Sequence, residues 1–447
     1  MIAGMGPSGI AGTRPGVIAT APRRQALDLL LLPLAKDGRI ADGRALERLE
    51  REAAGASDGF VFCHGWLYDQ AEAEQEAARF FALLEGALAP LRSRIIPLRV
   101  ALHWPSKPFA DPELTRRTGL TRSSGLTGGT EVTSGMDRPG LWPELERRLA
   151  TPPRGGLSSR GGTQELERLL GDLWAAEVPL SPEEEIELDA LRSRLGDSAS
   201  RGEGSLSPLH ALSFWAMKRR AGEVGERLGR EVLGPLWARL RTPPRLHLIG
   251  HSFGAKLLAS AVLGGARATS LTLLLAAFSA FAFAPEVPGL GRPGFYHRIV
   301  ADRLVEEPIV ALRSTHDTAL GVLYGSLTGG SEADRGRERN RGMRRPTPGR
   351  AGYVRTAVAS SALGAVGARG VGAPEVDLRD VPRIGIPRYP IVNVDGSRVI
   401  TASETLVGAH RDIYHAEVAT LVLLAAGLLQ AGPEGLRPTR VSPLGRA

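Results

Sequence analysis

Leu246-His247-Leu248-Ile249-Gly250-His251-Ser252-Phe253-Gly254-Ala255-Lys256-Leu257-Leu258 decides how this chain folds. The first half is an apolar run of strand length, and the second half, rich in Ala and Leu, reads as a helix. Between them stands G-x-S-x-G. That pattern alone is weak, but a strand directly before it and a helix directly after it make it specific. A nucleophile on so sharp a turn needs glycine two residues to either side, because a side chain at Gly250 or Gly254 would strike the neighbouring strand or helix. The turn lifts the Ser252 hydroxyl clear of the sheet and sets the Phe253 backbone N–H at the positive end of a helix. A structural turn without chemistry is the competing reading.

On either side of this stretch, short apolar runs alternate with helical patterns. Gly59–Cys63, Ile95–Leu102, Leu271–Phe278 and Ile309–Arg313 read as further strands. Spacings of three and four predict helix from Arg23 to about Gly55, Gln70 to Leu88, Thr163 to Trp174, Pro182 to Leu195, Pro208 to Arg241 and Asp412 to Leu429. Ile391–Val394 and Arg398–Ile400 flank Asp395-Gly396, which predicts a hairpin. Alternation of this kind implies an α/β fold: a mostly parallel sheet with helices on both faces, carrying its chemistry at the carboxyl ends of the strands. Two stretches, about 111–207 and 327–385, interrupt it as long insertions; both include runs of Gly, Pro, Ser, Thr and Arg with little periodicity. The expected organisation is a partly helical N-terminal arm at 1–57, a core at 58–430 and a tail at 431–447.

A serine nucleophile needs a base, and the base needs an acid to orient it. Asp317 follows the strand Ile309–Arg313, next but one after the Ser252 strand, and is the expected acid; a helix-capping carboxylate is the alternative. Two of the nine histidines lie near the C-terminus. His410 precedes the last helix, whereas His415 falls in its first turn if Asp412 is the N-cap. A helix N-terminus disfavours the imidazolium that a base must become, which favours His410 and leaves His415 as the alternative base. Asp412 holds the local turn or, less expectedly, orients the base. For an oxyanion, the backbone amide of Trp66, after the strand Phe60–Cys63 and His64-Gly65, is the expected second donor beside that of Phe253.

These residues resemble the α/β-hydrolase superfamily: an HG element after an early strand (His64-Gly65), the elbow Gly250–Gly254, an acid after a later strand and a late histidine. The resemblance covers about 58–110, 208–326 and 386–430. It implies an α/β-hydrolase-like fold, a serine-histidine-acid triad with an oxyanion hole, and no cofactor. Among acyl bonds, an ester is favoured over amide or thioester only because esterases are common in that superfamily. The long insertions depart from its usual lid positions, so its substrate pocket does not carry over.

Composition narrows the remaining classes. The 447 residues are 43% hydrophobic and 23% charged, an ordinary globular balance. Cys63 is the sole cysteine, which excludes an internal disulfide framework and reads as a buried inert thiol. The net charge of +8 comes with 52 arginines against four lysines. The arginines are mixed with glutamates, and the dense run Arg335–Arg345 lacks interleaved aromatics, so nucleic acid is not an expected partner. His316 beside Asp317 has no companion ligands at metal spacing. His103 and Trp104 end a strand, where they line a pocket or pack the core. Neither a phosphate-binding G-x-x-x-x-G-K-[ST] loop nor an apolar run long enough for a membrane span is present. The expectation is therefore a cytoplasmic serine hydrolase acting on a small-molecule acyl substrate. A non-catalytic scaffold of the same fold is the alternative.

Overall fold

Strands built from uninterrupted Val, Ile, Leu and Phe must bury both faces, which a parallel sheet between two helical layers achieves. The computed structural model describes residues 28–107, 181–201, 208–325, 328, 361–402, 407–432 and 436–439. Eight strands form its sheet: β1 (Leu30–Pro33), β2 (Asp58–Cys63), β3 (Pro97–His103), β4 (Arg245–His251), β5 (Ser270–Leu274), β6 (Ile309–Arg313), β7 (Glu375–Asp377) and β8 (Ile391–Asp395). Their order is β1-β3-β2-β4-β5-β6-β8-β7, and every neighbouring pair is parallel. The fold is α/β.

The helices follow from local signals. α1 (Gly43–Ala53) starts at Asp42, whose side chain accepts from the Arg44 N–H. α2 (Gln70–Leu88) opens on a capping box between Asp69 and Glu72. α3 (Pro182–Arg201) opens on another, with the Ser181 and Glu184 side chains each accepting from the other's backbone N–H. α4 (Pro208–Arg227) runs through a π-helical turn, Leu228–Leu233, into α5 (Gly234–Arg239). α6 (Phe253–Leu263) follows β4 directly, and α4 with the π-helical turn after it lies close along it: a Cβ on Gly225 or Gly229 would sit 2.0 Å from a backbone oxygen of α6. Short helices α7 (His297–Ala301), α8 (Leu363–Val366) and α9 (Val381–Ile384) precede α10 (Ala416–Ala425), which packs on α2.

Strand order then locates the site. From β2 the chain crosses through α2 to β3 on one side, whereas from β4 it crosses through α6 to β5 on the other. Right-handed crossovers in opposite directions place α2 and α6 on opposite faces. The sheet therefore reverses between β2 and β4, where Cys63 pairs with Gly250, and a crevice opens beyond the carboxyl ends of such a pair.

Several expectations about elements differ from the structure; the last helix runs Ala416–Ala425 rather than Asp412–Leu429, with His415 and not Asp412 at its N-cap. Leu30–Pro33 forms strand β1 rather than helix, with Leu30, Leu32 and the following Leu34 buried and the residues between them half-buried. A run of consecutive leucines satisfies both periods, and the open edge of β3 selects the strand. The expected strand Leu271–Phe278 stops at Leu274, because Leu275 turns the chain at φ 46°; the remainder stays buried as a loop. The hairpin at Asp395-Gly396 does not form. β8 is already paired in parallel on both edges, with β6 and β7, so no edge is left for a returning strand. Instead the Ser397 N–H and hydroxyl bond Asp395 Oδ1, and Ile400 turns back to bond the Gly396 carbonyl. The expected helix Thr163–Trp174, the Arg335–Arg345 run and residues 1–27 of the expected N-terminal arm lie outside the described residues.

Candidate active site

β4 delivers the chain into a turn that only its two glycines allow. A Cβ on Gly250 would lie 2.4 Å from Ala255 Cα, and one on Gly254 would lie 2.2 Å from the Cys63 carbonyl oxygen at the end of β2. Both distances are far inside contact, so helix and neighbouring strand close against the turn as the sequence implies. Ser252 sits at its apex with φ 58° and ψ −120°, a strained conformation for a residue with a side chain, costing about 1–3 kcal/mol. Backbone bonds on both sides hold it there: its N–H donates to the Leu274 carbonyl, and its carbonyl accepts from Ala277.

Asp317 and His410 converge on that serine. The His410 Nδ1–H donates to Asp317 Oδ2 at 2.7 Å, and the Ser252 hydroxyl lies 2.9 Å from His410 Nε2. With Nδ1 protonated, Nε2 is the acceptor for the serine proton. Asp317 is fully buried beyond β6, and its other oxygen accepts from the Leu320 N–H at 2.9 Å. One Asp317 oxygen thus meets His410 while the other holds the first turn of the segment that follows. His410 stands on a 3₁₀ turn, Gly408–Arg411, stitched to the acid loop by Ala409 N–H to the His316 carbonyl and Ala319 N–H to the Val407 carbonyl.

His415 is not part of this group. It occupies the N-cap position of α10, and its Nε2 bonds Asp412 Oδ1 at 2.8 Å. The other Asp412 oxygen accepts from the Thr401 and Ala402 N–H groups, so Asp412 holds the local turn.

The end of β2 meets the serine from the other side. A Cβ on Gly65 would fall 2.8 Å from Ser252 Cβ, so glycine is the residue that lets the two turns touch. The buried His64 shapes this loop. Its Nδ1–H donates to the Gly65 carbonyl at 2.9 Å while Nε2 accepts from the Trp104 N–H, and the Trp104 indole donates to the His64 carbonyl. Burial pushes the His64 imidazole down to about 3, so it stays neutral with that tautomer. Because the peptide is trans, a Gly65 carbonyl drawn to His64 turns the Trp66 N–H the other way. No acceptor among the described residues takes that N–H. The Trp66 ring lies against Phe253 and Phe214, each 6.1 Å away between centroids, and its indole nitrogen is buried without a partner.

Other singled-out residues have structural places. Trp104 is core, fully buried beneath the His64 loop. His103 is half-buried and stacks on His64 at 5.6 Å. His316 is exposed, and no group of His, Cys, Asp or Glu able to hold a metal occurs among the described residues. Cys63 is buried at the end of β2, and burial pushes its thiol up. No helix among the described residues is long and apolar enough to cross a membrane.

Sequence reasoning missed two features. One is His251, buried beside Ser252 with its Nε2 at 2.8 Å from the His410 carbonyl; its only sequence signal is its place inside G-x-S-x-G. The other is a buried ionic cluster that fastens α3 to the core. Lys256 of α6 bonds Glu184 at 2.8 Å, while Lys218 of α4 bonds Glu187 and the Tyr324 hydroxyl. No family model, curated protein or solved structure matches the chain.

Chemically, a hydroxyl on a neutral imidazole backed by a buried carboxylate can lose its proton as it attacks an electrophile. The Phe253 N–H, next to Ser252 in the chain and first in α6, has no intrahelical partner by position.

Proposed function

We propose that this chain is a serine hydrolase resembling the α/β-hydrolase superfamily, cleaving an ester-type acyl bond of a small-molecule substrate in the cytoplasm. The support is one observation: Ser252 Oγ, His410 Nε2, His410 Nδ1 and Asp317 Oδ2 form a continuous hydrogen-bond chain with links of 2.9 and 2.7 Å. In the proposed reaction Ser252 Oγ attacks the substrate carbonyl as His410 takes its proton. Asp317 stabilises the imidazolium without itself being protonated. The amides of Phe253 and Trp66 receive the developing oxyanion. His410 then protonates the leaving alcohol, and water, deprotonated by the same imidazole, releases the acyl group. No cofactor takes part in this scheme.

The strain at Ser252 fits this assignment, because strained backbone persists where surrounding structure enforces it and is common at reactive sites. The scaffold alternative would gain from three residues that fail to meet, and these three meet. The test is turnover of short-chain p-nitrophenyl esters by the wild type beside Ser252→Ala. The expected result is a burst of nitrophenol from the wild type, and loss of at least about 10⁴ in kcat/KM for the variant with an unchanged melting temperature. Equal turnover by both proteins would overturn the proposal.

A further inference from the structure

We infer that His251 is a positioning residue for His410, tying the turn that carries the base to the turn that carries the nucleophile. The inference rests on the serine-hydrolase reading and adds a fourth side chain to it.

The turn Gly408–Arg411 is fixed to the acid loop by two backbone hydrogen bonds, so Asp317 and His410 move as one body. Ser252 belongs to a different body, the β4–α6 elbow. The distance between His410 Nε2 and Ser252 Oγ therefore depends on what holds these two bodies together. His251, next to Ser252 in the chain, supplies such a link: its Nε2–H donates to the His410 backbone carbonyl at 2.8 Å, and the two rings lie 5.0 Å apart at 40°. Its Nδ1 faces the Gly65 turn, 3.5 Å from where a Cβ on Gly65 would stand. One ring thus spans the space between the turn of His410 and the Gly65 turn.

The protonation state suits this role. Burial, together with the neighbouring His410 and Arg411, holds the His251 imidazole well below its usual range, so it is neutral. A carbonyl acceptor at Nε2 then fixes the proton on that nitrogen. A neutral ring holds His410 through its backbone and leaves both nitrogens of the His410 ring to Asp317 and Ser252. The bond directs nothing at the substrate, so its loss should alter the chemical step and leave substrate binding alone.

The test compares three variants with the wild type, by ester turnover and by the rate of fluorophosphonate labelling. Gln at 251 can place an N–H near the position of Nε2, Asn is too short to reach the carbonyl, and Leu has no donor. The expected result is a 10- to 100-fold loss of kcat and of labelling rate in His251→Leu and His251→Asn, with KM within about twofold. His251→Gln should recover most of the loss. If His251→Leu does not fold, the Asn and Gln pair carries the comparison, with melting temperatures as control. A reactive wild type whose Asn and Gln variants label at the same rate would overturn this inference alone. A wild type that neither turns over ester nor labels would overturn the serine-hydrolase reading, and this inference with it.

Discussion

Two buried polar clusters lie one helical turn apart on α6, and they are built on opposite principles. At its N-terminus, Ser252, His410 and Asp317 are joined by hydrogen bonds in which a proton can change owner. Four residues on, Lys256 is paired with Glu184 between α6 and α3. Burial alone would raise the Glu184 carboxyl, but Lys256 and Lys218 outweigh it and bring the group down to about 2. Burial likewise would lower the Lys256 ammonium, and Glu184 carries it above its usual value. Both ions are locked in their charged forms. The first cluster links a hydroxyl, an imidazole and a carboxylate in one hydrogen-bond chain, and the second fixes α3 on the core. Burial of polar groups therefore does not itself mark the reactive place. Under the proposed function it is marked instead by a hydroxyl, an imidazole and a carboxylate in one hydrogen-bond chain, with the hydroxyl just beyond β4, where the sheet reverses.

Substitutions can break this contrast. The largest effect is expected from Asp317→Asn, which keeps an oxygen for the Leu320 N–H but presents an amide to His410 and reverses the imidazole tautomer. Ester turnover should fall by about 10⁴ with little change in melting temperature. A drop in stability without a drop in activity would make Asp317 a cap and nothing more.

Glu184→Ala should do the reverse. It strands the buried Lys256 ammonium and should cost about 3 kcal/mol in denaturant unfolding while leaving kcat of the folded fraction unchanged. A pH series sharpens the same point. Because Glu184 is held below its ordinary value of 4.5, its contribution to stability is complete above that value and is lost as pH falls toward 2. The melting temperature of the wild type should therefore drop more steeply between pH 5 and pH 3 than that of Glu184→Gln. Parallel curves would show that the pair is not ionic in the folded protein.

The smallest effect is expected at His415. It pairs with Asp412 at the start of α10, so His415→Phe should leave ester turnover within about twofold. A loss comparable to that of His410→Ala would reassign the base.

Much of the fold is legible in the sequence for a physical reason. Strands such as Phe60–Cys63 and Leu246–Ile249 are buried on both faces and carry a signal that no surface residue dilutes. The glycines of the elbow are dictated by contacts within Å of their Cα atoms, and the α2 capping box is written in Asp69 and Glu72. The expected acid and base fall on the residues that meet Ser252, because each follows a recognisable strand or precedes a recognisable helix. Where the reading fails, the deciding partner is distant. Leu30–Pro33 becomes a strand because β3 has a free edge, and Asp395-Gly396 makes no hairpin because β8 has none. His251 and the Lys256–Glu184 pair stayed hidden for the same cause: their partners lie 159 and 72 residues away.

Fluorophosphonate labelling of the wild type beside Ser252→Ala, with the modified peptide identified by mass spectrometry, tests the central claim most directly. The account predicts a single adduct on Ser252 in the wild type and none in the variant. A folded wild type that takes no adduct at Ser252, or a variant that labels as fast as the wild type, would contradict it.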